Sequence, residues 1–147
     1  MRYPYTRTGR STALRPYLEI FLRNGFYTSQ YLFGLIDSGA DYSLFPYELA
    51  KLLKIDLSDA KIWNFSGTTG KPQLAYLARV EINILGDDNS ETKFRVSADV
   101  GFCPDFGFAG GALLGQQGFF SEFKTTFNQP YNFFEIEPYQ LALPSNS

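Results

Sequence analysis

From Leu74 onward, Tyr76, Ala78, Val80, Ile82 and Ile84 alternate with Ala75, Leu77, Arg79, Glu81 and Asn83. A repeat of two predicts a long strand with one face in a core and the other in solvent. The turn Gly86-Asp87-Asp88-Asn89-Ser90 ends it, and Thr92 to Ala98 follows with Phe94, Val96 and Ala98 on one face and Lys93, Arg95 and Ser97 on the other. The two runs pair as an antiparallel hairpin. Upstream, Tyr17 to Leu22 is a short aromatic and branched run, and Asn24-Gly25 after it is a pair that closes hairpins, with residues 30–36 as the return strand. That strand ends at Asp37.

Pro46 stands at the first position of a predicted helix, in which Leu49, Leu52 and Leu53 recur at helical spacing through Lys54. Lys61 to Phe65 and Gln73 to Leu77 then flank Ser66-Gly67-Thr68-Thr69-Gly70-Lys71-Pro72, whose glycines and proline suit a projecting, mobile hairpin tip. Residues 101–111, rich in Gly, Pro and Phe, predict a loop leading into Ala112-Leu113-Leu114-Gly115. Gln116 to Phe123 reads as a short helix presenting Phe119, Phe120 and Phe123 to the core. Asn128-Gln129-Pro130 separates two last strand-like runs, Lys124 to Phe127 and Tyr131 to Ile136.

Composition agrees with a β-rich, turn-rich chain: 13 Gly, 8 Pro and 18% aromatic residues among 147. That length predicts one domain, residues 15–138, with a basic and flexible arm at 1–14 and a loose tail at 139–147. Arg2, Arg7, Arg10, Arg15 and Arg23 lie in the first 25 positions against a single acid, Glu19, and give the start of the chain its positive bias. Net charge is only −2 and no basic stripe follows any predicted element, so nucleic acid is not an expected partner. No apolar run is long enough for a membrane span, and none resembles a secretion signal. One cysteine, Cys103, forms no internal disulfide, and a reducing, cytoplasmic setting is the expectation. No internal repeat is found, so each chain is expected to be one lobe.

The chain has no histidine. That removes the usual base for a serine or cysteine nucleophile and the commonest zinc ligand, and leaves acid–base chemistry to Asp or Glu. The candidate is Asp37, in Leu35-Ile36-Asp37-Ser38-Gly39-Ala40-Asp41, where an apolar strand ends on an acid followed by a hydroxyl and a glycine. Strand exits of this kind are where sites form. No metal or cofactor is called for. Only one such loop occurs, so chemistry requiring two carboxylates needs a second, identical chain.

With those elements placed, the sequence resembles the retropepsin-like aspartic proteases, in particular their small single-domain bacterial members. The likeness is carried by "LIDSGAD" at 35–41, "LFP" at 44–46, "FSGTTG" at 65–70 and "ALLGQQGFF" at 112–120. It implies a mostly β, closed, barrel-like acid-protease fold with one or two short helices and one lobe per chain. Asp37 would be the catalytic acid. Ser38 would direct its hydroxyl to the opposite subunit's loop, and Gly39 would let the chain pass close to substrate. Ala40 and Asp41 would contact the substrate backbone, with bracing of its own loop an equal alternative for Asp41, while Ser66, Gly67, Thr68, Thr69 and Gly70 would close over the substrate as a flap. Leu113, Leu114 and Gly115 would brace the acid loop. One departure is plain: where the retroviral enzymes place an arginine that pairs with the acid equivalent to Asp41, this chain has Gln116.

The resemblance implies a peptide or protein substrate and a homodimer. Two carboxylates about one hydrogen bond apart cannot both ionise cheaply, a rule for which aspartic proteases are themselves the standard example. The pair is therefore expected to share a proton, with a bell-shaped pH profile centred below neutrality. Three rival readings accompany it. Asp37 could be an ordinary turn residue bonding its own backbone. The chain could be a catalytically silent dimeric module that binds peptides or partner proteins. A glycosidase would need a second acid in a comparable loop, and the sequence offers none.

Overall fold

The predicted long hairpin is the backbone of the molecule. The computed structural model describes residues 1–9, 11–66, 70–88, 91–106 and 111–140. Its strands are β1 (Arg2–Pro4), β2 (Tyr17–Asn24), β3 (Tyr27–Thr28), β4 (Leu32–Ile36), β5 (Leu44–Pro46), β6 (Lys61–Ser66), β7 (Pro72–Leu85), β8 (Thr92–Cys103), β9 (Gly111–Leu114), β10 (Phe123–Asn128) and β11 (Phe133–Pro138). One helix, α1 (Tyr47–Leu52), and a 3-10 turn at Gln129–Tyr131 complete the described elements. Antiparallel pairing of β7 with β8 runs from Tyr76↔Phe102 to Leu85↔Thr92, with an irregularity between Ile84 and Leu85.

A barrel closes because β2 is shared between two partners. Its first half pairs with β4, from Tyr17↔Leu35 to Ile20↔Leu32, and its second half pairs with β7, from Ile20↔Ile84 to Arg23↔Glu81. The circuit β2-β4-β9-β5-β8-β7 then returns to β2, giving a mostly β fold with a closed six-stranded barrel in one lobe. The predicted fold class holds. Alternate residues point inward: Leu18, Ile20 and Leu22 on β2, Val80, Ile82 and Ile84 on β7, and Val100 and Phe102 on β8 are all buried. Each such side chain contributes roughly 1.5–3 kcal/mol by leaving water. Gly34 leaves room for a neighbour, since a Cβ there would lie 2.8 Å from Leu114 Cγ.

A second, three-stranded sheet, in the order β1-β11-β10, packs where the β7–β8 hairpin turns. Phe123 meets Phe94 at 5.3 Å between ring centroids, and the buried Tyr3 donates its hydroxyl to the Leu85 carbonyl at 2.9 Å. Thus Arg2–Pro4, from the segment read as an arm, forms a strand against Phe133–Glu135. Most of the tail, residues 141–147, lies outside the described residues, as does Arg10.

Four local expectations are corrected. Leu44–Pro46 is a strand, and Pro46 is the residue before the helix (φ −58°, ψ 139°) rather than its first turn. The helix buries Leu49 and Ala50 with Leu53 just beyond it, whereas Leu52 is exposed. Residues 101–103, predicted as loop, extend β8, and Gly111 begins β9. Gln116 to Phe123 is not helical: Phe120 N–H reaches Gly115 O and Ser121 N–H reaches Gln116 O, both five residues back, while Gly118 takes φ +95°. A positive φ breaks the repeat a helix needs. No helix among the described residues is long and apolar enough to cross a membrane.

Candidate active site

Asp37 is placed by a parallel pair that the local sequence does not announce. β4 runs beside β9 with Leu35 opposite Leu113 and Ile36 opposite Leu114, and the Asp37 N–H donates to the Leu114 carbonyl at 2.9 Å. The chain then leaves the sheet. Gly39 N–H donates to Asp37 Oδ1 at 2.9 Å, and Ala40 N–H donates to the Asp37 carbonyl at 3.2 Å. Asp37 is half-buried as a residue, and the backbone bond from two residues on fixes the direction of its carboxylate. That bond suits a turn residue and an oriented acid alike.

The far wall of the loop is the segment after β9. Gln116 N–H donates to Ala40 O at 2.8 Å, Gln117 N–H to Asp41 O at 2.9 Å, and Ser43 N–H to Gln117 O at 3.0 Å. Gly115 lies beneath them, where a Cβ would stand 2.5 Å from Ala40 O. Only glycine fits such an approach to backbone. Ser43 is fully buried; its Oγ donates to Gln117 O at 3.0 Å and accepts from Gly115 N–H at 3.1 Å. The Gln116 side chain adds a bond from Nε2 to the Ser38 carbonyl at 2.8 Å. The acid loop is therefore sewn to residues 114–117 by backbone and side-chain donors together.

A small apolar cluster joins this loop to the β6–β7 hairpin. Leu44, Ala75 and Cys103 form its buried centre, and Tyr42, Trp63, Phe65, Phe106 and Leu113 pack against them half-covered. Tyr42 and Trp63 are 5.0 Å apart between ring centroids, and Trp63 stacks on Phe65 at 4.4 Å. Alternation alone assigned Ala75 to the polar face of β7, yet it is fully buried, because this second cluster covers that face. Burial also pushes the Cys103 thiol above its ordinary range; a backbone bond at Asp105 works against this, and the Asp105 charge adds to it.

The expected site residues fall as follows. Asp37, Ser38, Gly39, Ala40 and Asp41 share one loop, held against Leu114 and Gly115, while Leu113 turns its side chain toward the aromatic cluster. Ser38, Gly39 and Asp41 are exposed. Ala40 is buried, and both its N–H and its carbonyl are engaged within the chain. Ser66 ends β6 opposite Pro72, and Gly70 has φ +75°, the left-handed region that suits glycine. Gly67, Thr68 and Thr69, the expected tip, lie outside the described residues. Ser43 and Gln117 were not singled out by sequence reasoning. A serine inside Tyr42-Ser43-Leu44-Phe45 was the available signal.

A cleft of about 470 Å³ beside α1, lined by residues such as Tyr47, Lys51, Asp56 and Tyr76, lies apart from this loop and holds no Asp37 contact. Among the described residues no group of three His, Cys, Asp or Glu side chains is placed to hold a metal ion. No protein-family model matches the chain, and no curated protein matches it. Fold and site together define a one-lobe β-barrel chain with Asp37 at the exit of β4, its Oδ1 bonded by the Gly39 N–H.

Proposed function

We propose that this chain is an aspartic endopeptidase of retropepsin-like type that works as a homodimer. The observation that carries the reading is Asp37 itself: a half-buried acid at the exit of a barrel strand, its Oδ1 bonded by Gly39 N–H and its loop tied to residues 114–117. Ties from Gln116 and Gln117 to Ala40 and Asp41 hold that loop against the end of β9.

One such acid activates water poorly, and a twin across a twofold axis supplies the second. The ionised Asp37 takes a proton from a water held between the two while that water's oxygen attacks the scissile carbonyl carbon. The protonated Asp37 gives its hydrogen to the carbonyl oxygen. The tetrahedral diol then breaks its C–N bond as the nitrogen takes the proton that the first Asp37 received from water, and a diol hydroxyl gives its proton to the second Asp37, so the pair again holds one. An extended peptide lies between the acid loops and the β6–β7 hairpins, with Tyr42, Trp63, Phe65 and Leu113 favouring apolar side chains beside the cut.

The test is incubation of wild type and Asp37→Asn with a mixed peptide pool from acidic to neutral pH. Cleavage by wild type alone, with a bell-shaped profile centred below neutrality, is the expected result. Peptide binding with no cleavage by either protein at any pH favours the silent binding module instead. A fully active monomer in sedimentation contradicts a dyad made from two chains.

A further inference from the structure

We infer that Gln116 is a positioning residue for Asp37, a neutral clamp that holds the acid loop at both ends; this rests on the proteolytic reading above. Its backbone N–H donates to Ala40 O at 2.8 Å and its side-chain Nε2 donates to Ser38 O at 2.8 Å. Between those two anchor points lies Gly39, whose N–H donates to Asp37 Oδ1. One residue thereby sets where the Gly39 N–H stands, and that donor sets the direction of the carboxylate.

The chemistry of an amide matters here. A carboxylate at this position would lose its donor on ionising. A carboxamide supplies a donor without charge. It holds the loop equally well at every pH over which the pair titrates. Gln116 is exposed, so the bond costs side-chain freedom that solvent contact would otherwise preserve. Keeping an exposed side chain in one place is useful for geometry more than for burial.

Two variants test the clamp, with a fluorogenic peptide chosen from the mixed pool by wild-type cleavage as probe. Gln116→Leu removes the donor, and kcat is expected to fall about tenfold with KM nearly unchanged, since the loss is in alignment of the acid. Gln116→Glu keeps the shape and makes the donor depend on pH. Below the carboxyl's ordinary value of about 4.3 it can donate to Ser38 O as the wild-type amide does, and above it only acceptors face each other. The ratio of variant to wild-type kcat should therefore fall as pH rises. A pure charge effect gives the opposite trend, because a new negative charge helps the pair hold its proton at higher pH.

The melting temperature of Gln116→Leu should change by no more than about 4 °C, as for other exposed positions. Amide exchange at Gly39 and Ala40 should quicken about tenfold in the same variant, a readout that needs no activity. If wild type cleaves nothing, the proteolytic reading falls while the exchange result still judges the clamp. Wild-type kcat in Gln116→Leu, a flat or rising ratio in Gln116→Glu, or unchanged exchange at Gly39 overturns the inference.

Discussion

Gly115 lies so close beneath Tyr42 that a Cβ built on it would stand 2.6 Å from the Tyr42 carbonyl oxygen. The obstacle is backbone, which no rotamer change can move aside. Gly115→Ala should therefore displace residues 40–42 and destabilise the protein by about 1–3 kcal/mol, as overpacking does. Urea denaturation measures this. Cleavage should fall more steeply than stability does, and a variant with wild-type stability and activity would show the contact to be soft.

Ser43→Ala removes a fully buried hydroxyl that serves Gly115 N–H and Gln117 O at once. The buried Gly115 N–H is left without its acceptor, while the Gln117 carbonyl keeps the Ser43 N–H. The expected cost is about 1–3 kcal/mol, because a buried donor is left without a partner. Equilibrium unfolding checks the figure, and a cost near zero would mean that solvent already reaches the loop from below.

Trp63 is the only tryptophan, and it connects Tyr42 in the acid-loop region with Phe65 on the hairpin. A non-cleavable peptide mimic entering the proposed cleft should change its emission. Trp63→Ala should raise KM about three- to tenfold, the value of one aromatic contact, with a smaller effect on kcat. Titration that leaves the emission untouched while inhibiting cleavage would place the peptide elsewhere.

Tyr3 predicts a loss of stability in alkali. Burial, and secondarily the charge of Asp87, raise its phenol well above the ordinary value. Below about pH 10 the folded and unfolded chains both keep the proton, and the contribution is constant. Above that, the unfolded chain ionises first, so stability falls as pH rises, by at most about 1.4 kcal/mol per pH unit for this group. Tyr3→Phe should flatten that slope. It should also cost about 1 kcal/mol at neutral pH, since the Leu85 carbonyl loses its donor. Denaturant midpoints from pH 8 to 11, taken at about unit intervals, test both effects.

Cys103 is buried, and burial holds its thiol protonated beyond the ordinary range. Thiolate is the reactive form. A thiol reagent at neutral pH should leave the native protein unmodified and label one group per chain after denaturation. Rapid labelling of folded protein would mean that the small cluster around Ala75 opens readily.

Regular repeats were legible where they ran long enough to be counted. Val80, Ile82 and Ile84 on one strand, and Val96 and Ala98 on the next, announced the β7–β8 hairpin and its inner face. Shorter elements were not. Leu44–Pro46 spans three residues, too few for any period, and its proline pointed to a helix start. The phenylalanines at 119, 120 and 123 have helical spacing, but they reach the core from a series of turns that Gly118 bends. Around Asp37, the glycine and hydroxyl neighbours marked the loop, whereas nothing local marked Ser43 as its buried support.

The order of residues determined which segments prefer to be strands, which positions must turn, and that a lone acid follows an apolar run with no histidine to assist it. Local sterics and the alternation of side chains suffice for that, because both act between near neighbours. Only the tertiary structure decided that β2 divides its edges between β4 and β7, that Leu113 and Leu114 come to lie beside Leu35 and Ile36, and that Gln116 reaches the Ser38 carbonyl. Those contacts join residues far apart in the chain, and they form only when burial of a common core outweighs the entropy of closing the loops between them.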